Sequence, residues 1–207
     1  MTEESKFNWP PLESNPEVFT NYMHKVGMSK EWAVGEVFGF DEDLLAFLPQ
    51  PIIGVIVAIE RTDKAGDKEH GSEDNVSKVP FYMKQTNVLD NACGVIACLH
   101  AVLNKQEEIK IDGDSILGKY YSAVKDQSPI DRALTLEKDE SFQQEHKGYA
   151  SEGQSNQASE QSEVKHHFVA FIINKDKQLI ELDGLKKGPN IIEEGCEDVL
   201  RGSIKEI

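Results

Sequence analysis

The chain has 207 residues and carries 22 Lys plus Arg against 37 Asp plus Glu, a net charge of −15 at pH 7. That balance excludes the basic stripe a nucleic-acid binder needs to displace counterions, and an anionic membrane surface would repel it. The longest apolar run, residues 52–59, is far short of the roughly 20 residues a spanning helix requires, while 39% hydrophobic and 29% charged residues suit a globular chain.

Residues 1–16 have neither the basic start nor the apolar core of a secretory signal, so a cytoplasmic protein is expected. There are three cysteines, Cys93, Cys98 and Cys196, with no C-x-x-C pair, which fits a reducing compartment and argues against a disulfide framework. Asn15-Pro16 reads as a helix cap and first turn. Val18, Phe19, Tyr22, Met23 and Val26 then share one helical face, and Gly27 ends it. Residues 32–38 are short, apolar and β-prone. Residues 41–48 read as a short helix stopped by Pro49, and residues 52–59 (IIGVIVAI) as a strand buried on both faces. Residues 61–78 have Val76 as their single large aliphatic and read as a polar loop that cannot order itself.

Residues 81–84 read as another short strand. Residues 92–103 are apolar almost all round, the pattern of a central buried helix. Residues 114–125 carry Ile116, Leu117, Tyr120, Tyr121 and Val124 on one face, and Ser128-Pro129 opens a further helix through Leu136. Residues 149–163 form a second polar loop. Residues 167–173 and 178–182 flank the polar NKDK as a hairpin, and Asp198 begins a last helix. The sum is an α+β chain, a sheet of a few strands with helices packed on it. The polar stretches are loops within one domain spanning 1–207.

The sharpest chemical feature is QTNVLDNACGVIACLHAVLNK, residues 85–105. Cys93 falls in the first turn of the apolar helix, where unpaired N–H groups and the helix dipole favour a thiolate. Gly94 leaves room beside it for a substrate backbone. On the residues alone, Cys93 is either a nucleophile or a buried structural cysteine. Cys98 belongs to the core, and Cys196 sits among acidic residues that suppress a thiolate. A cysteine nucleophile wants an imidazole, and the imidazole wants an orienting acceptor. His70 lies in the polar loop, His24 and His146 read as solvated, and His100 lies two turns along the helix, too far to reach Cys93. His166 and His167 begin a strand, so they point to opposite faces and only one can face the nucleophile. Asp183 ends the partner strand of that hairpin and can reach either, or it serves only the Asp183-Gly184 turn. Cys and His do not cluster at metal-ligand spacing, so no metal or cofactor is expected.

Motifs along nearly the whole chain give the chain a family resemblance. They are WPPLESNPEV (9–18), FGFDEDLLAFLPQP (38–51), FYMKQT (81–86), NACG (91–94), EGQ (152–154), HHFVAF (166–171) and LIELDG (179–184). In this order they resemble the ubiquitin carboxyl-terminal hydrolases of the UCH type, papain-like cysteine deubiquitinases. The resemblance implies the papain-like fold, a central antiparallel sheet flanked by helices. It implies Cys93 as nucleophile, His167 (the histidine directly before a Phe) as its base, and Asp183 as the acid that orients it. It makes Gln85 the oxyanion-hole glutamine, residues 149–163 the crossover loop across the active site, and Pro11, Leu12, Glu13, Glu152, Gly153 and Gln154 contacts to ubiquitin. The implied activity is cleavage after the C-terminal glycine of ubiquitin or a ubiquitin-like protein by a monomer. The chain departs from the pattern in a longer Gln85–Cys93 connection and in the lack of a final C-terminal strand after RGSIKEI. Those departures leave as alternative a ubiquitin-binding protein with impaired or no catalysis. Another papain-like thiol hydrolase is a third reading, since the Cys, His, Asp order is shared.

Overall fold

The computed structural model describes residues 7–60, 70–152 and 166–207. Helix α1 spans Pro16–Val26; the Asn15 side chain accepts the Glu17 N–H and Gly27 stands at the C-cap. Helix α2 is Glu42–Leu45 and strand β1 is Gly54–Glu60. Helices α3 (Cys93–Leu103), α4 (Ile116–Val124), α5 (Pro129–Lys138) and α6 (Glu140–Glu152) follow. Strands β2 (His166–Ile173), β3 (Gln178–Leu182) and β4 (Asn190–Glu194) precede α7 (Val199–Ile204). The fold is α+β.

Among the described residues the strands form one antiparallel sheet in the order β1-β2-β3-β4. No strand follows α7 up to Ile207. Helix α3 packs on one face, where Ala97 and Ala101 meet Ala170, Ile172, Ile180 and Leu182. Helix α7 covers the other face through Val199, against Val169, Phe171 and Leu179. Helices α1, α4, α5 and α6 build the main core on the outer side of α3, with Trp9, Tyr22, Phe81, Tyr120 and Phe142 fully or almost fully buried. The sheet is thus sandwiched, which is why α3 is apolar all round and buried along its whole length.

Several local readings are corrected. Residues 32–38 form no strand: the Val34 N–H donates to Thr20 Oγ1 at 2.9 Å and the Trp32 carbonyl accepts from His24 Nε2 at 2.7 Å. Side chains of α1 satisfy these backbone groups instead of a ladder. Strand β1 exists but is an edge strand, half-buried, with Ile59 40% exposed, and not a central strand buried on both faces. Its apolar composition does not distinguish the two positions.

Of the polar stretch 61–78, Glu73–Lys78 is an ordered 3₁₀ helix held by the Pro189 carbonyl, which accepts from Ser72 N and Asn75 Nδ2. Residues 61–69 lie outside the described residues. Helix α6 is an element the sequence pattern does not announce. It runs into the stretch read as a loop from residue 149, and residues 153–163 lie outside the described residues. Its face is Phe142, His146, Tyr149 and Ala150, a helical spacing inside a polar sequence.

Candidate active site

Cys93 is the first residue of α3 and is buried, 4% exposed. The residues before it, Asn87–Ala92, form short 3₁₀ turns kinked at Leu89 that lead directly into α3. The long connection from Gln85 is therefore taken up as a helical turn instead of a slack loop. Ala92 at the cap position offers no side-chain acceptor, so no side chain caps this end of the helix. Gly94 does not open space for a substrate. A Cβ there would lie 2.8 Å from Phe19 Cζ, so the ring of Phe19 fills the room the glycine leaves.

Strand β2 brings the imidazole. His166 is exposed and His167 buried, as alternation along a strand requires. His167 Nε2 lies 2.7 Å from Asp183 Oδ1, just beyond β3, and donates its proton there. With Nε2 engaged by Asp183, Nδ1 is the ring atom left for the Cys93 sulfur, which lies near enough to raise the His167 pKa. Asp183 also accepts the Leu185 N–H at 2.9 Å. Burial opposes charge on both partners, and their contacts overcome it. On His167 the interactions with Asp183 and Cys93 outweigh desolvation and raise its pKa to about 9. On Asp183 the bond and charge of His167, with the Leu185 N–H and Lys186, outweigh desolvation and hold the carboxyl below its ordinary value. The pair is thus a charged imidazolium–carboxylate at neutral pH.

Gln85 arrives on residues 81–85, which form no strand, against the sequence expectation. Six backbone groups here find partners from elsewhere in the chain. Phe81 bonds Asn104 through both N–H and carbonyl, at 2.9 and 2.7 Å. The Tyr82 carbonyl accepts from Arg132 Nη1 at 2.9 Å. The Met83 N–H donates to His100 Nε2 at 3.1 Å, Lys84 N–H to the Pro129 carbonyl at 2.9 Å, and Gln85 N–H to the Gly184 carbonyl at 2.9 Å. A Cβ on Gly184 would lie 2.9 Å from Gln85 N, so only glycine lets these two backbones meet. The Gln85 side chain donates one amide hydrogen to the Asp90 carbonyl at 3.0 Å. A primary amide has two, so one remains for another acceptor.

The structure thus brings Cys93, His167 and Asp183 together, with Gln85 tied to the Asp183–Gly184 turn. The other residues singled out fall as follows. Leu12 is buried in the main core, whereas Pro11 and Glu13 are partly exposed. Glu152 ends α6, and Gly153 and Gln154 lie outside the described residues. Cys98 is fully buried and burial pushes its thiol up to about 12, while Cys196 is buried with its thiol 3.5 Å from the Asp198 carbonyl.

His146 is not solvated but fully buried, its ring tilted 58° against Trp9 with centroids 4.8 Å apart, and it is bonded to the Pro10 carbonyl at 2.5 Å. The side chains that hold 81–85 lie outside the predicted site. Their signal was present: His100 is the one polar side chain in an otherwise apolar helix, and Asn104 follows its end. Among the described residues, no group of three or more His, Cys, Asp or Glu is placed to hold a metal ion, and no helix is long and apolar enough to cross a membrane.

Residues 9–207 match the family model described as ubiquitin carboxyl-terminal hydrolase, family 1. The chain belongs to that family. It is 40% identical over 191 residues to a ubiquitin carboxyl-terminal hydrolase of Drosophila melanogaster, covering 87% of this chain and 80% of the relative. It is 35% identical over 190 residues to a probable ubiquitin carboxyl-terminal hydrolase of Dictyostelium discoideum, covering 88% and 73%. The fold is similar to the crystal structure of the Trichinella spiralis UCH37 catalytic domain bound to ubiquitin vinyl methyl ester. The TM-score is 0.75 at 24% identity, over 99% of this chain and 89% of that one. By family, then, the chain is a ubiquitin carboxyl-terminal hydrolase, a cysteine-type deubiquitinase, with the papain-like α+β fold.

Proposed function

We propose that the chain acts as a single catalytic domain, a monomeric thiol hydrolase that cleaves after the C-terminal glycine of ubiquitin or a ubiquitin-like protein. The observation that carries this reading is the buried His167, bonded to Asp183 and near enough to Cys93 for the thiol to raise its pKa. His167 pairs with the Cys93 thiolate, which attacks the glycine carbonyl carbon. The carbonyl electrons move onto oxygen, and the oxyanion accepts from the free Gln85 amide hydrogen and the Cys93 backbone N–H. The oxyanion collapses, the carbon–nitrogen bond breaks, and His167 gives its proton to the leaving amine. Water, deprotonated by His167, then releases the glycine carboxylate from the thioester. Asp183 holds the imidazole in one tautomer throughout.

Pro11 and Glu13, with Glu152, Gly153 and Gln154, are assigned to ubiquitin contact, and the polar stretch that follows α6 to the crossover segment. Leu12 supports that surface from the core. Phe38, Phe40 and Phe47, exposed at 82, 57 and 84%, add apolar surface suited to a protein substrate. The UCH37 structures, bound to ubiquitin vinyl methyl ester, support ubiquitin as the partner class.

The test is incubation with ubiquitin carrying an electrophile at its C-terminus, with Cys93→Ala as control. A covalent adduct in the parent that is lost in the variant is expected. Ubiquitin binding without an adduct would leave a binding module. Cleavage of generic peptide amides but not of a ubiquitin–fluorophore amide would leave another kind of thiol hydrolase.

A further inference from the structure

His100 lies near the end of α3, seven residues after Cys93 and roughly 10 Å further along the axis at 1.5 Å per residue. It does not approach the thiol, and it is 0% exposed. Its two ring nitrogens are both engaged with backbone. Nε2 accepts the Met83 N–H at 3.1 Å, and Nδ1 lies 3.3 Å from the Leu182 carbonyl. An amide N–H only donates and a carbonyl only accepts, so the ring is the neutral Nδ1–H tautomer. Burial, which lowers its pKa to about 4, keeps it so.

These two partners are not arbitrary pieces of backbone. Met83 stands two residues before Gln85, and Leu182 directly precedes Asp183. The face of the imidazole is stacked on Tyr82, with centroids 5.3 Å apart and 9° between planes. The Tyr82 hydroxyl in turn lies 2.8 Å from the Asp183 carbonyl and 2.9 Å from that of Lys186, donating its proton between them. One stacked pair therefore touches the nucleophile's helix, the segment bearing Gln85 and the turn bearing Asp183. A leucine or phenylalanine would fill the volume without the cost of burying an imidazole.

We propose that His100 and Tyr82 form a positioning pair that sets Gln85 and Asp183 in register with Cys93. The proposal rests on the thiol-hydrolase reading. Neither residue touches substrate; both act through the backbone of their neighbours. The test compares His100→Phe with His100→Gln in the whole chain, on a ubiquitin–fluorophore amide. Phenylalanine keeps the ring and loses both bonds. Glutamine loses the ring and can place an acceptor and a donor at the imidazole's spacing. His100→Phe is expected to lower kcat about tenfold to a hundredfold, the scale of a small misplacement of reacting groups, with KM unchanged. His100→Gln is expected to recover most of kcat at similar or lower thermal stability.

An undiminished kcat in His100→Phe overturns the proposal. So does a kcat that follows Tm equally in both variants, which marks a purely structural residue. If His100→Phe does not fold, Tyr82→Phe decides, since it keeps the stack and loses only the hydroxyl: a kcat several-fold lower supports the pair and an unchanged kcat overturns it. An inactive parent removes the hydrolase reading and this inference together, whereas an active parent with an unaffected His100→Phe removes this inference alone.

Discussion

Helix α3 positions Cys93, and residues 81–85 position Gln85, by opposite means. Helix α3 satisfies its backbone internally, so Cys93 is placed by a regular element packed on all sides. Residues 81–85 have no repeating bond. Asn104, Arg132, His100, Pro129 and Gly184 each hold one or two of their backbone groups. The helix averages over many contacts and tolerates the loss of one. The irregular segment depends on individual donors and acceptors, so single substitutions should displace it. Stability and catalysis are therefore expected to separate by region: core changes in α3 lower stability, and changes around 81–85 lower turnover.

The largest effect concerns the group both regions serve. Asp183→Asn should cut kcat on a ubiquitin–fluorophore amide by about a thousandfold or more, because the amide no longer fixes the required tautomer of His167. A loss below tenfold would show that His167 is oriented by the surrounding packing. Next comes pH. The His167 pKa is raised to about 9 in the folded chain, so its contribution is fully present below the unfolded value of about 6.5 and is lost as pH rises through 9. Denaturant titrations should find stability falling by up to about 3 kcal/mol over that window, with the slope reduced in Asp183→Asn.

The third test is the direct contrast. Arg132 donates to the carbonyls of Tyr82, Val124 and Lys125 and lies over the Phe81 ring. Arg132→Met should cost about 2–3 kcal/mol and also lower kcat several-fold. Val102→Ala in α3 should cost about 1–2 kcal/mol and leave kcat of the folded protein unchanged. Equal turnover losses in both would erase the distinction between the regions. The smallest effect is that of salt. With a net charge of −15 against the basic tail of ubiquitin, kcat/KM should decline modestly from low to high ionic strength. A flat response would leave the charge a role in solubility only.

What was legible in the sequence rested on local signals. Asn15-Pro16 and Gly27 bound α1, the apolar run after NACG placed Cys93 at a helix start, and the NKDK hairpin put His167 and Asp183 near one another. In each case neighbours in the chain determine the geometry: caps satisfy the first and last turns, and alternation sends His166 out and His167 in. What was misread shares a different cause. Residues 32–38 and 81–84 have strand-like composition, yet most of their backbone partners are side chains 8 to 50 residues away. Helix α6 was hidden because His146 counted as polar, although it is buried beside Trp9.

By itself, then, the sequence determined the class of fold and the place of Cys93 at the start of its helix, because those follow from the apolar pattern, and its motif order carried the family resemblance. Only the tertiary structure decided that β1 lies at the sheet edge, that Phe19 occupies the space beside Gly94, and that His100 and Tyr82 join the segments bearing Gln85 and Asp183. Those outcomes depend on which distant groups meet. A buried N–H or carbonyl must find a partner wherever the fold places one, and no local pattern names that partner in advance.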